Sequence, residues 1–135
     1  MRNVLVDAGA LIARLDETDT HHSRCLAALK QIREPLATVM PAVTEAMHFL
    51  SSVAGGCDIL CDMLADGAVQ LLHVDPADMP RIKQLMQKYR DRPMDFADAA
   101  LVCVAERENL NTILTFDRDF EIYRLPRRAR FKVLR

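Results

Sequence analysis

Short apolar runs alternate along the chain with stretches in which apolar residues recur every three or four positions. Asn3-Val4-Leu5-Val6 is too brief for a helix and stops at Asp7, so it predicts a buried strand. Ala10 to Leu15 predicts a short helix. Asp19 or Thr20 can cap a second over His21 to Arg33, where Cys25, Leu26, Leu29 and Ile32 keep helical spacing until Pro35 stops it. Leu36 to Val39 is the next strand. Pro41 opens a helix from Ala42 to Ser52 that Gly55-Gly56 terminates. Ile59, Leu60, Met63 and Leu64 place a helix over Cys57 to Leu64, and Asp66-Gly67 turns the chain into the strand Val69 to Leu72. A helix from Pro76 to Tyr89, a break at Pro93 and a strongly apolar helix from Phe96 to Arg107 follow. A fourth strand starts at Asn111 and runs to Leu114 or on to Phe116, and Phe131 to Leu134 is the fifth. Strands separated by helices imply right-handed crossovers and an α/β fold, with a mostly parallel sheet covered on both faces.

At 135 residues, half of them hydrophobic, the chain fits a single domain spanning 1–135 with an aliphatic core. No apolar run approaches a membrane span, and the start of the chain does not read as a signal peptide, so a cytoplasmic protein without an anchor is expected. Cys25, Cys57, Cys61 and Cys103 lie in helical patterns, and the i, i+4 spacing of Cys57 and Cys61 matches neither a redox nor a zinc motif, so all four are expected to be reduced, buried packing groups. Taken as an average, the net charge of −1 argues against a nucleic-acid ligand, but it is unevenly distributed. Residues 124–135 hold six of the 18 basic side chains and none of the 19 acidic ones, which leaves about −7 on the preceding 123 residues.

Ligands of parallel sheets gather at the carboxyl ends of the strands. Asp7 follows the first strand and Asp117 the fourth, so both belong at that edge. Glu45 sits in the first turn of an otherwise apolar helix, and Asp95 and Asp98 share one face at the start of another. Asp7, Asp95 and Asp117 each have a local explanation as turn or cap residues; Glu45 and Asp98 fall among residues that read as core, where an unpaired carboxylate is rare. Converging acids without basic partners repel one another, and a hard oxygen-seeking cation such as Mg²⁺ or Mn²⁺ removes that conflict.

Asp7 after a short N-terminal strand, Glu45 early in the third helix, Asp98 in Ala97-Asp98-Ala99-Ala100-Leu101-Val102 and Asp117 in Leu114-Thr115-Phe116-Asp117-Arg118-Asp119-Phe120 together resemble the four acidic positions of the PIN-domain ribonucleases, over essentially the whole chain. Length and the closing segment are most similar to VapC-type toxins of type II toxin–antitoxin systems. The resemblance implies a three-layer α/β/α sandwich, a Mg²⁺- or Mn²⁺-dependent endoribonuclease, a homodimer, and inhibition by a small cognate antitoxin whose tail fills the groove. Asp7 and Asp98 would hold the principal ion, with Glu45, Asp117 and Asp95 as further ligands or helpers. The sequence departs from the family where Ser or Thr usually follows the first Asp: here it is Ala8, so a supporting hydroxyl must come from elsewhere, Thr44 and Thr115 being the candidates.

RNA must still reach an acidic pocket. Arg118 and the tail residues Arg127, Arg128 and Arg130, with Arg90 and Arg92, are the candidate phosphate contacts. Glu45-Ala46-Met47-His48 has the Glu-x-x-His spacing of di-iron bundles but lacks the second copy, so His48 reads as a partly buried helix residue. His21-His22 lacks a third zinc ligand and reads as an exposed helix start. Met40, Met47, Met63, Met79, Met86 and Met94 read as core or dimer-interface fillers. A receiver-type phosphoacceptor would need a late-strand lysine, and a haloacid-dehalogenase-like phosphatase would need Asp-x-Asp after the first strand; neither is present. The rival of a different class is a catalytically weak or inactive RNA-binding or antitoxin-binding module with the same fold, a reading that rests on Ala8.

Overall fold

The structure, a computed structural model, describes residues 2–135. Five three-residue strands, β1 (Val4–Val6), β2 (Leu36–Thr38), β3 (Val69–Leu71), β4 (Thr112–Leu114) and β5 (Lys132–Leu134), form one sheet in the order β3-β2-β1-β4-β5. All four strand pairings are parallel. The helices α1 (Ala8–Leu15), α2 (His22–Gln31), α3 (Met40–Leu50), α4 (Gly56–Ala65), α5 (Met79–Lys88) and α6 (Phe96–Glu108) complete the α/β/α sandwich. Parallel pairing sends every connection back across the sheet, so Asp7 and Asp117 leave β1 and β4 on the same edge.

The first strand is central, flanked by β2 and β4, and its three residues are fully buried. Helix α6 is buried almost all round: Ala97 and every residue from Ala99 to Ala105 are inaccessible, as its unbroken apolar sequence requires. Leu101 has no exposed surface there. Leu101→Ala is therefore expected to cost about 2–5 kcal/mol, read as a lowered midpoint of chemical denaturation.

Several boundaries differ from the sequence pattern. The segment Pro76 to Tyr89 is two elements: a 3₁₀ turn over Pro76–Asp78, closed by reciprocal capping between Asp75 and Asp78, and then α5. Pro80 at the start of α5 carries no N–H, which suits it to the first turn of a new helix. Helix α3 begins at Met40, so Glu45 lies in its second turn and not its first. Strand β4 ends at Leu114, although Thr115 N still donates to Leu134 O at 3.1 Å. All four cysteines are free, but only Cys25 and Cys103 are buried; Cys57 is half-buried and Cys61 exposed, because α4 covers the core with the face that carries Leu60. His48 is exposed, not partly buried. No helix among the described residues is long and apolar enough to cross a membrane.

Candidate active site

The first carboxylate is fixed by the turn that follows β1. Asp7 has extended backbone and caps α1: its Oδ1 accepts the Ala10 N–H at 2.9 Å, and its Oδ2 accepts the Thr115 hydroxyl. The Thr115 oxygen in turn accepts the N–H of Asp117 at 3.0 Å, so one buried hydroxyl ties together the two strand-end acids. Thr44, the other candidate, is exposed and donates back to Met40 O at 3.0 Å on its own helix. The hydroxyl missing at Ala8 is thus supplied from β4's end.

At the start of α6, Asp95 is the helix cap and accepts the N–H of Asp98 at 2.8 Å. Tyr123, fully buried, directs its hydroxyl to Asp98 Oδ2 at 3.4 Å. Asp117 accepts the N–H of Asp119 at 2.9 Å and opens a 3₁₀ turn over Arg118–Glu121. Capping and cavity lining are therefore combined in Asp7, Asp95 and Asp117.

Asp7, Glu45, Asp95, Asp98 and Asp117 line one cavity of about 310 Å³. None of them forms an ion pair among the described residues. The electrostatic cost is visible in the acidities. Burial raises the pKa of Asp98 to about 8, with added repulsion from Asp95, Asp117, Asp7 and Glu45. Burial raises Asp7 to about 6, against the opposing hydrogen bonds of Thr115 and Ala10. Burial, then the charge of Asp95, raises Glu45. Burial and the charge of Asp98 also raise Tyr123, which keeps its hydroxyl a donor.

Among the other residues lining the cavity are an acid and two aromatic rings that the sequence did not assign to the site: Asp19, His21 and Phe116. The His21 ring stacks on Phe116 with centroids 4.7 Å apart and planes within 4°. Arg24 sits 5.4 Å from the Phe116 ring centroid and contacts His21 Nδ1. His21 is thus half-buried at the site instead of an exposed helix start, whereas His22 turns away and contacts Ala13 O at 2.6 Å. The signal was faint: Asp19 was legible only as a cap, and it does bind the His21 N–H at 2.8 Å.

The basic candidates do not join this cavity. Arg118 is exposed beside Asp117, and Arg92 approaches Asp119 at 4.0 Å. Arg127 and Arg128 line a separate cleft, and Arg130 pairs through its backbone with Arg124. A larger, mostly apolar hollow of about 870 Å³ does adjoin the acidic one, sharing Glu45 and Asp95 with it; Met40, Leu71, Met79 and Phe96 are its exposed apolar rim.

The PIN domain family's sequence profile matches residues 4–125. The chain belongs to the PIN domain family. It is 30% identical over 118 residues to Ribonuclease VapC26 of Mycobacterium tuberculosis (strain ATCC 25618 / H37Rv), covering 85% of this chain and 87% of that one, which makes it a PIN-domain protein of the VapC type. Among solved structures it is similar to Mycobacterium tuberculosis VapC20, described as a sarcin-ricin loop cleaving toxin, with a TM-score of 0.82, 16% identity and coverage of 89% and 94% of the two chains. It is also similar to VapBC2 from Rickettsia felis bound to a promoter DNA fragment, with a TM-score of 0.66, 11% identity and 98% of both chains covered. A toxin–antitoxin complex from Klebsiella pneumoniae matches at a TM-score of 0.67 and 17% identity, over 86% of this chain and 88% of that one.

Proposed function

We propose that this PIN-domain protein is a divalent-metal-dependent endoribonuclease and the toxin of a cytoplasmic toxin–antitoxin pair. The observation that carries the reading is the single cavity lined by six carboxylates, Asp19 included, none of them in an ion pair among the described residues. That donor set suits Mg²⁺ or Mn²⁺, which take oxygen ligands and retain waters. Among the described residues no three His, Cys, Asp or Glu side chains are grouped to hold an ion between them; Mg²⁺ commonly binds through one or two carboxylates and keeps its other ligands as water.

Asp7 and Asp98 would be the principal holders, each accepting a hydroxyl hydrogen bond, from Thr115 and Tyr123 respectively. When bound, the ion lowers the pKa of a coordinated water and neutralises charge developing on the phosphate. Glu45 and Asp117 line the same cavity, and either would orient the attacking water and accept its proton. Attack by water gives a 5′-phosphate and a 3′-hydroxyl. The ground for an inactive module was the hydroxyl missing at Ala8, and Thr115 now occupies that role.

A cognate antitoxin is the expected protein partner, as in the complexes from Klebsiella pneumoniae and Rickettsia felis. A second copy in a homodimer is expected too. The apolar rim of Met40, Leu71, Met79 and Phe96 offers either one a surface beside the active site.

Purified protein incubated with structured RNA should yield fragments in Mg²⁺ or Mn²⁺ that vanish in chelator, with 5′-phosphate ends by end-group labelling. Cleavage undiminished in chelator, or fragments ending in cyclic phosphate, would refute the metal-assisted water mechanism.

A further inference from the structure

Between α5 and the C-terminal segment lies a second cleft, of about 640 Å³, lined by Arg81, Lys88, Tyr89, Arg124, Arg127 and Arg128 and by no acidic residue. Five cations around one hollow are unexpected in a chain of net charge −1. Two of them have structural work. Arg81 forks onto Glu106 at 2.7 and 2.8 Å, and Arg124 clamps the carbonyls of Glu121, Ile122 and Tyr123. Lys88, Arg127 and Arg128 form no ion pair with any described residue; Lys88 lies over the Tyr89 ring, 5.1 Å from its centroid.

The backbone there is strained to hold its arginines. Arg127 and Arg128 are successive left-handed residues, with φ of 61° and 59°, a conformation natural to glycine and costly to long side chains. The loop is pinned by the Arg124–Arg130 bridge, by Leu125 N donating to Ala129 O at 2.9 Å, and by the buried Leu125 and Phe131 at its two ends. Such strain persists where the surroundings impose it and is a mark of functional segments.

The cleft also connects physically to the active site. The Tyr89 hydroxyl accepts the Arg124 N–H at 3.0 Å, and its ring meets Tyr123 edge-on, centroids 5.0 Å apart. Tyr123 then reaches Asp98. One tyrosine pair therefore separates a cleft lined by five cations and no acid from a cavity lined by six carboxylates and no lysine or arginine. We infer that this cleft is an anchoring site for the RNA phosphate backbone outside the scissile bond, held by Lys88, Arg127 and Arg128. The inference rests on the ribonuclease reading and extends it: the acids at the chemical centre repel a polyanion, and the guanidinium forks a tyrosine pair away attract it.

The test measures binding of a fluorescein-labelled 20-nucleotide single-stranded RNA, and of a trinucleotide, to Asp98→Asn protein by anisotropy across a salt series, with gels confirming that the RNA stays intact. In that background, Arg127→Gly/Arg128→Gly removes two charges while relieving both left-handed residues, so thermal stability should be unchanged or higher. The 20-mer should bind at least about tenfold more weakly, with a salt slope shallower by about 1.4, and the trinucleotide should be unaffected. Arg127→Lys/Arg128→Lys should restore most of the affinity. Unchanged affinity and slope in a folded glycine variant would overturn the inference. So would loss of binding to a polyglutamate peptide with RNA binding intact, which would mark an acidic-protein site instead. RNA that is bound through the cleft by wild-type protein yet never cut would defeat the ribonuclease reading alone.

Discussion

Asp98→Asn should reduce RNA cleavage by more than about 100-fold and at the same time make the metal-free protein more stable at neutral and alkaline pH. The loss follows from removing one of the two principal ion holders. The gain follows from proton linkage. In the unfolded chain an aspartate releases its proton near pH 4, whereas Asp98 in the fold keeps it until about 8. Between those values the native state binds more protons at this site than the unfolded one, so the contribution of Asp98 to wild-type stability is greatest below pH 4, falls as pH rises, and levels off above 8. Asparagine has nothing to ionise, so the variant escapes most of that fall. Asp7, held near 6, leaves it a weaker one between about 4 and 6. By pH 8 the variant should melt at least about 3–5 °C above wild type, which corresponds to roughly 1 kcal/mol for a chain of this size. Near pH 4 the two should coincide. Added Mg²⁺ should raise the wild type and narrow the gap, because an ion that binds only the native state stabilises it. A difference in melting temperature between variant and wild type that stays flat from pH 4 to 8 would contradict the electrostatic account of the cavity.

Thr115→Val is the second large effect. The substitution is nearly isosteric, but it strips Asp7 Oδ2 of its donor and Asp117 N of its acceptor in a buried place. Since the Thr115 hydrogen bond works against burial, its removal should push Asp7 above 6, leaving more of it protonated at neutral pH. Metal affinity should drop about 10–100-fold, and the acidic limb of the pH–activity profile should move to higher pH. Thr115→Ser, which keeps the hydroxyl, should recover both. Equal profiles for the valine and serine variants would show that Thr115 only fills space.

The order of strands and helices was legible because each short apolar run ended at a residue with a clear role: Asp7 after β1, Pro35 before β2, Asp66-Gly67 before β3. The acidic set was legible for a related reason, since a parallel sheet delivers the ends of β1 and β4 to one edge whatever the loops do. Details that depend on tertiary contact were not. Whether Thr44 or Thr115 supports Asp7 turns on helix phase, and α3 points the Thr44 hydroxyl back at Met40. The approach of His21 to Phe116 depends on how the loop between α1 and α2 folds across the sheet edge, and no periodicity encodes that. The basic tail read as a single patch, but the strained turn over Pro126–Arg128 sends its arginines into a cleft of their own.

The central place of β1 bears on how the protein comes into being. Asp7 leaves the ribosome well ahead of the threonine that orients it, which lies 108 residues later in the chain. At about 5–20 residues per second, roughly 5–20 s of translation separate the two. The sheet cannot acquire its fourth strand, nor the cavity its last carboxylate, until residues 112–117 have been made. Whatever cutting power the pocket confers is therefore withheld from the nascent chain by topology alone.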